Sequence, residues 1–347
     1  MSTPSEFIPP HAETAQAQAA FARQVLDAEA AAIHAIQIEP SFHAAVELIL
    51  SRCGSSHSGS LVVSGLGKSG LIGQKLTATF ASTGTPSHFL HPTEAMHGDL
   101  GRIRREDVVL AMSYGGQTEE MLNLAMILKQ DGVPVIACCG KPTSDLARLS
   151  TVALCVGDVD EACPLNLAPT ASTTAMLALG DALALAVMRR REFAAQDFHK
   201  FHPGGSLGRQ LMPITQAMRF IAGQNLPLIR TQSSVEEAYA QAEAQAPGGR
   251  RAGALLVVDD QGLLAGIFTD GDLRRSFIKH GSGAWQRPIA EFMTRRPRHL
   301  LSDALVRDAV RMVREFRIDE IPVVDPQGRP VGLIDVQDLV ALKVIEN

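Results

Sequence analysis

Two glycine-containing loops carry the side chains best suited to chemistry in this chain. The first reads GLGKSG and presents Lys68 and Ser69 between Gly67 and Gly70. Backbone N–H groups at the start of a helix attract anions, and a lysine there adds positive charge. We therefore expect this loop to receive a small anionic substrate. The alternative is a tight strand-to-helix turn with a solvated lysine.

Two better-known phosphate motifs overlap in this loop, and neither fits. A P-loop would need glycine where Val62 stands. Gly65, Gly67 and Gly70 have the spacing of a dinucleotide fingerprint, which expects an acidic side chain at the end of the next strand. The first acid beyond that strand is Glu94. The loop thus favours neither a nucleoside triphosphate nor a dinucleotide, and we expect no cofactor.

The second loop, SYGGQTEE, repeats this logic after another apolar run. Its hydroxyl and backbone N–H groups, at the predicted start of an amphipathic helix, would cradle a phosphate. The cradle residues are Ser113, Gly115, Gly116 and Thr118. The neighbouring Glu120 can serve as a general base, or it can merely complement the helix dipole, as Glu119 can.

Histidines are concentrated in HFLHPTEAMHGDLG, which holds His88, His91 and His97, while His202 lies in FHPGGSLG. Histidines and carboxylates are metal ligands, but the spacing matches no standard zinc pattern. We expect no required metal, with His91, His97 and His202 as adventitious ligands at most. For each histidine the alternative is an ordinary surface or hydrogen-bonded residue.

Five short apolar runs alternate with helical stretches between about residues 12 and 205. They read SLVVSG, SHFLH, DVVLAMS, PVIACCG and TVALCV. Such runs are typical of parallel strands covered on both faces, which predicts a doubly wound, flavodoxin-like α/β sandwich of about five strands. Ligands bind at the carboxyl ends of the strands in these sheets, where both glycine loops would lie.

An internal repeat follows beyond about residue 215. ALLVVDDQGLLAGIFTDGDLRRSF, from Ala254, matches EIPVVDPQGRPVGLIDVQDLVALK, from Glu320. Each copy predicts an amphipathic helix, a strand, an acidic turn, a strand and a helix that opens at Asp272 or Asp338. Copies of this size bury little core alone, so we expect them to pack on each other as an α+β pair.

Composition indicates which kinds of partner and which cellular compartment to expect. The net charge is −5, aromatic residues make up 5%, and no long basic run occurs, so we expect no nucleic acid polymer. The amino terminus, MSTPSEFIPPHAETAQ, does not resemble a secretory signal. The stretch TTAMLALGDALALAVM is interrupted at Gly180 and reads as too short for a bilayer. Five cysteines without C-x-x-C spacing indicate reduced thiols in a cytoplasmic protein.

Several motifs together closely resemble the D-arabinose 5-phosphate isomerases. They are GLGKSG, ASTGTPSHFLHPTEAMHGDLG, SYGGQTEE, EACPLNLAPTASTTAMLALGDALA and FHPGGSLGR. The repeat is similar to the tandem CBS (cystathionine-β-synthase-type) pair that follows the sugar isomerase (SIS) domain in this family. The resemblance implies a SIS domain at 1–205, a linker at 206–216, and CBS modules at 217–281 and 289–347.

The same resemblance implies a reaction and its residues. D-Ribulose 5-phosphate and D-arabinose 5-phosphate would interconvert through an enediol(ate), supplying Kdo for lipopolysaccharide or capsule. The implied catalytic residues are Lys68, His97, Glu120 and His202. The family resemblance also implies a homotetramer in which His202 can come from a neighbouring subunit. The alternatives are an isomerase of another sugar phosphate and a non-catalytic sugar-phosphate sensor.

Gly115 and one residue pair in each CBS copy can be compared with the family pattern. A further serine is usual where this chain has Gly115, so one hydroxyl is missing from the phosphate cradle. In CBS modules a threonine and an aspartate three residues later commonly hold a nucleotide ribose. The first copy has Thr269 and Asp272, whereas the second has Asp335 and Asp338. We expect a nucleotide or sugar-nucleotide effector at the first copy, with a purely structural pair as the alternative.

Overall fold

The computed structural model describes residues 14–54, 57–245 and 251–345. The expectation about a secretory signal falls mostly on residues 1–13, which lie outside the described residues. The chain divides into two compact units, Met1–Phe193 and Ala194–Asn347. His202 therefore belongs to the second unit, and the predicted domain bounds at 205 and 216 stay predictions.

The first unit alternates helices and strands. Its strands are β1 (Leu61–Gly65), β2 (Ser87–Phe89), β3 (Val108–Met112), β4 (Val135–Cys139) and β5 (Val152–Cys155). Its helices are α1 (Ala15–His34), α2 (Pro40–Arg52), α3 (Gly67–Ser82), α4 (Pro92–Met96), α5 (Glu119–Gln130), α6 (Asp145–Leu149) and α7 (Ala171–Arg190). A short 3-10 helix covers Asp99–Arg102.

The five strands form one parallel sheet in the order β2-β1-β3-β4-β5. Alternate residues of β1 face two cores, since Leu61 and Val63 pack with α2, α3 and α7, and Val62 packs with α5 and α6. This confirms the predicted doubly wound sandwich. The strand order reverses between β1 and β3, which is where open α/β sheets bind ligands. Both glycine loops leave the sheet at this point.

Helix α7 is longer than the sequence expectation. It extends over 20 residues, enough by length and composition alone to cross a membrane, although half of its apolar window is buried. The expected shortness is therefore wrong, because the helix continues through the interruption at Gly180. A Cβ there would overlap the side chain of Leu76 on α3. Gly180 is thus a packing residue that lets two core helices approach closely.

The second unit contains the repeat. Its helices are α8 (Ala195–Phe201), α9 (Ser206–Gln210), α10 (Ile214–Ala217), α11 (Val235–Gln245), α12 (Asp270–His280), α13 (Val306–Phe316) and α14 (Val336–Ala341). Its strands are β6 (Phe220–Ile221), β7 (Leu228–Arg230), β8 (Ala254–Val258), β9 (Leu264–Thr269), β10 (Thr294–Arg295), β11 (Leu300–Leu301), β12 (Glu320–Val324) and β13 (Pro330–Asp335). Short 3-10 helices cover Gly281–Ala284 and Ile289–Glu291.

The two copies form two sheets that exchange short strands. The sheet orders are β10-β9-β8-β7 and β11-β12-β13-β6. Strand β6 precedes the first copy but pairs with β13 of the second, and β10 pairs with β9 of the first. Helices α12 and α14 begin at Asp270 and Val336, two residues before the predicted starts. Asp272 and Asp338 instead lie in the first turns, where they cap the helix starts.

Candidate active site

The GLGKSG loop turns sharply from β1 into α3. A Cβ on Gly70 would lie 2.5 Å from the Gly65 carbonyl oxygen, so close approach requires glycine there. Gly67 has φ +54° and opens α3 with free space around it. Lys68 is exposed and Ser69 is partly buried. The glycines therefore place Lys68 and the first N–H groups of α3 at the carboxyl edge of the sheet.

The SYGGQT loop after β3 is held by hydrogen bonds within itself. Ser113 Oγ lies 2.9 Å from Thr118 Oγ1, and the Gly116 N–H donates to Ser113 Oγ at 3.2 Å. Gly116 has φ +61°, and a Cβ there would lie 2.5 Å from the Ser144 side chain. Thr118 immediately precedes α5 as its N-cap residue, and its hydroxyl faces Ser113 and caps no N–H group of the first turn. Hydroxyls and a helix start therefore meet in one cradle.

Neighbouring loops hold this cradle from the side of β4 and β5. The Tyr114 carbonyl accepts from Gly140 N at 2.7 Å. The Tyr114 hydroxyl accepts from Val159 N at 2.8 Å and donates to Val159 O at 3.2 Å. Leu146 N donates to Gly116 O at 3.1 Å. The cradle is therefore anchored to three other segments of the first unit before any ligand arrives.

Three of the predicted catalytic residues follow three adjacent strands. Lys68 follows β1, Glu120 lies in the first turn of α5 after β3, and His97 ends α4 after β2. His97 is exposed, and its N–H donates to Glu94 O at 3.0 Å. Because parallel strands end at the same edge of the sheet, the fold brings these residues to one side of the first unit.

His88 and His91, which precede His97 in the chain, are more enclosed than His97. His88 Nε2 and His91 Nδ1 are buried without a hydrogen-bond partner among the described protein groups. Burial, and then the charge of Arg102, lowers the pKa of His88. Across residues 14–54, 57–245 and 251–345, no group of three or more histidine, cysteine, aspartate or glutamate side chains is arranged to hold a metal ion.

His202 lies in the second unit at the end of α8. Its ring stacks on Phe198 with 3.9 Å between ring centroids, and its Nδ1 lies 3.0 Å from Phe198 O. A Cβ on Gly208 would overlap the His202 carbonyl oxygen. The glycine of FHPGGSLG at position 208 therefore lets α9 pack against His202.

Glu161 is a further carboxylate of the first unit, and its role was not predicted from the sequence. It accepts from Thr170 N at 2.7 Å and from Ser172 N at 3.3 Å, and from both side-chain hydroxyls. Burial opposes ionisation, but these hydrogen bonds outweigh it and lower the pKa of Glu161. The carboxylate thus complements the start of α7 and fixes the loop after β5. The sequence pointed to Glu161 only through the motif EACPLNLAPTAST. Thr170 and Ser172 lie too far along the chain from Glu161 for a local helix-capping pattern to predict their hydrogen bonds.

The threonine–aspartate pair of the first CBS copy is engaged with itself. Thr269 N and Thr269 Oγ1 both donate to Asp272 Oδ2 at 2.9 Å, and Asp272 N donates to Thr269 Oγ1 at 3.2 Å. Arg275 also pairs with Asp272. The second copy has the same cap, and there Arg219 Nε lies 2.9 Å from Asp338 Oδ1. The spacing that predicts a nucleotide site therefore also forms a helix cap.

Comparison with known proteins agrees with this geometry. The SIS domain family matches residues 56–186, and the CBS domain family matches residues 289–344. Arabinose 5-phosphate isomerase KdsD of Pseudomonas aeruginosa is 41% identical over 309 residues, which cover 89% of this chain and 91% of that protein. The Escherichia coli K12 protein of the same name is 42% identical over 288 residues, covering 83% and 85%.

The chain belongs to the arabinose 5-phosphate isomerase family. A solved structure of an Escherichia coli CFT073 protein in complex with a sugar-phosphate ligand is 36% identical to this chain, with a TM-score of 0.52. The match covers 55% of this chain and 100% of that one. Membership in the arabinose 5-phosphate isomerase family makes this chain an aldose–ketose isomerase. Such an enzyme needs an anion cradle, a base and a group that stabilises an oxyanion.

Proposed function

We propose that this chain interconverts D-ribulose 5-phosphate and D-arabinose 5-phosphate. The observation that supports the proposal is that the Ser113–Thr118 cradle, Lys68 and Glu120 all follow β1 or β3, the two strands on either side of the switch point of the sheet. The E. coli CFT073 relative holds a sugar phosphate in its solved structure, which supports a substrate of that class here. The relatives named arabinose 5-phosphate isomerase support the proposal independently.

The proposed chemistry is a proton transfer between adjacent carbons. Glu120 removes a proton from C1 of the open-chain ketose and returns it to C2, while the hydroxyl proton on O1 moves to O2. An enediol(ate) forms between the two steps. Triosephosphate isomerase uses a glutamate base and a neutral histidine for related chemistry. Lys68 stabilises the developing oxyanion, while His97 and the His202 of a neighbouring copy assist ring opening and proton transfer.

The phosphate would rest mainly on the loop after β3. Ser113 and Thr118 supply hydroxyls, and Gly115 supplies a backbone N–H group beside the start of α5. The Gly116 N–H would exchange its bonds to Ser113 for one to the phosphate. Ser69 and the Gly67 N–H approach from the loop after β1. The substrate would then lie between the two loops, with C1 and C2 nearest Lys68 and Glu120.

The direct test is incubation of the purified chain with D-ribulose 5-phosphate and detection of D-arabinose 5-phosphate. We expect approach to equilibrium from either sugar. Binding without turnover would identify a sugar-phosphate sensor. Turnover only of another pentose or hexose phosphate would identify a different isomerase.

We also propose a cytoplasmic homotetramer whose product supplies Kdo for lipopolysaccharide or capsule. The exposed apolar side chains of Phe21, Leu26, Leu71 and Leu185 on α1, α3 and α7 support self-association. Sedimentation of the full chain tests the assembly. Restored growth of a Kdo-dependent bacterium that lacks its own isomerase tests the pathway.

For the CBS pair we propose a nucleotide or sugar-nucleotide effector at the first copy. The spacing of Thr269 and Asp272 supports it, and both side chains would exchange their mutual hydrogen bonds for those of a ribose. Calorimetry with adenine, cytidine and sugar nucleotides tests the proposal, with Asp272→Ala as the variant that should lose the heat. No heat from any of them would leave the pair a packing element.

A further inference from the structure

The helices that open the two CBS copies agree in length and in the placement of two buried residues. Helices α11 and α13 both have 11 residues. Val235 and Ala238 of α11 are buried, as are Val306 and Ala309 at the same positions of α13. The two helices therefore turn the same face to their own cores, and their exposed faces also correspond.

These corresponding exposed faces carry opposite charge. Each consists of the second, sixth and ninth residues of its helix, spaced to lie on one side. The residues are Glu236, Ala240 and Glu243 in α11 and Arg307, Arg311 and Arg314 in α13, all of them exposed. The repeat thus presents one acidic helix face and one basic helix face on equivalent elements, and the acidic Asp308 and Glu315 of α13 border the basic face.

Neighbouring groups of the same chain neutralise the two faces only in part. Gln286 donates to Glu236 at 2.5 Å, and Arg251 pairs with Glu243. On the basic face Arg311 pairs with Asp308 at 3.4 Å, whereas Arg307 and Arg314 form no ion pair within the part of the chain that the structure describes. The basic face continues into an open cavity of about 660 Å³ that is lined by Arg314, Arg317 and Lys343. A negatively charged helix fits this surface.

We propose that α13 of one copy of this chain docks on α11 of a second copy through these faces. Opposite charges at matching positions attract when unlike helices meet, whereas like helices would repel. A second copy supplies the acidic helix at the required spacing. A nucleic acid is disfavoured because the chain carries a net charge of −5. After α13 of one copy has bound α11 of a second, the α11 of the first copy and the α13 of the second are still exposed. The same contact can therefore form again and close a symmetric assembly.

Zero-length cross-linking of two co-expressed full-length chains tests this contact. One chain is wild type, and the other carries Arg307→Lys, Arg314→Lys, Glu236→Gln and Glu243→Gln. Only the variant has amines on α13, and only the wild type has Glu236 and Glu243. A carbodiimide-induced amide from an introduced α13 lysine to either glutamate must therefore join two chains.

We expect this cross-linked peptide in the co-expressed sample and in neither chain alone. A variant that carries Arg329→Lys in place of the two α13 lysines is the control, because Arg329 is exposed but lies off the basic face. Absence of the α11–α13 peptide, where other interchain cross-links form, would overturn the proposal.

Charge reversal provides a second measurement. We expect Glu236→Arg with Glu243→Arg, and separately Arg307→Glu with Arg314→Glu, to weaken self-association about 10- to 100-fold in low salt. The chain with all four changes should regain wild-type association, with unchanged thermal unfolding throughout. Weakening by the arginine changes alone would show that the basic face meets a surface other than α11, and it would overturn the proposal.

Discussion

The loops after β1 and β3 leave adjacent strands at the same edge of the sheet, but they are held differently. The β3 loop is tied internally through Ser113 and Thr118 and externally through Gly116 and its neighbours. The β1 loop has open space around Gly67 and an exposed Lys68. A preorganised cradle suits a phosphate that stays in place during turnover. An exposed lysine suits a group that must meet the reacting carbons.

Among the substitutions that test the roles of the two loops, Glu120→Gln should have the largest effect on activity. It keeps the size of the side chain at the start of α5 but removes the proposed base, so we expect kcat to fall about 10²- to 10⁴-fold. KM for D-arabinose 5-phosphate should change little. The matched control is Glu119→Gln on the same helical turn, which should keep kcat within a few-fold. Equal activities of the two variants would remove Glu120 from the chemistry.

Gly116→Ala should disrupt the β3 loop, which is held by hydrogen bonds to its neighbours. Gly67→Ala makes the same change in the more open β1 loop and provides the comparison. Both glycines have positive φ, but only the Cβ at position 116 would meet another side chain, that of Ser144. We expect Gly116→Ala to lower the free energy of unfolding by about 2–4 kcal/mol and Gly67→Ala by about 1 kcal/mol. Denaturant unfolding measures both. Equal losses would mean that the two loops are equally constrained.

Ser113→Ala should weaken phosphate binding without stopping the chemistry. The change removes a hydroxyl that bonds Thr118 and Gly116. Loss of about one hydrogen bond predicts a KM about 10-fold higher with kcat within about three-fold of wild type. Ser150→Ala, which removes a hydroxyl bonded to Leu146 O outside the cradle, is the control. A fall in kcat at unchanged KM would contradict the assignment.

Gly115→Ser should have the smallest effect and the opposite sign. Gly115 is exposed, and a Cβ there meets no heavy atom within 4 Å, so a serine fits. One added hydrogen bond to phosphate predicts a KM about 2- to 10-fold lower. Gly115→Ala, which adds the Cβ alone, should leave KM near wild type. A higher KM for the serine variant would place the phosphate elsewhere.

The strands and both loops were predictable because their signals are local. Each apolar run and each glycine turn is contained in a few residues, and all five predicted strands of the first unit form. The exchange of β6 and β10 was not predictable, because two-residue strands show no periodicity and pair with distant segments. Glu161 escaped notice for a similar reason, since the loop after β5 separates it from Thr170 and Ser172.

The β3 loop is proposed to hold the phosphate, and Lys68 of the β1 loop is proposed to meet the reacting carbons. Lys68→Met tests this division of roles most directly. Steady-state kinetics with D-arabinose 5-phosphate should be combined with inhibition by inorganic phosphate, and Lys129→Met should serve as a distant control. We predict a kcat about 100-fold lower, with KM and the phosphate inhibition constant close to wild type. An unchanged kcat with a large rise in both constants would show that Lys68 holds the phosphate, and would contradict the account.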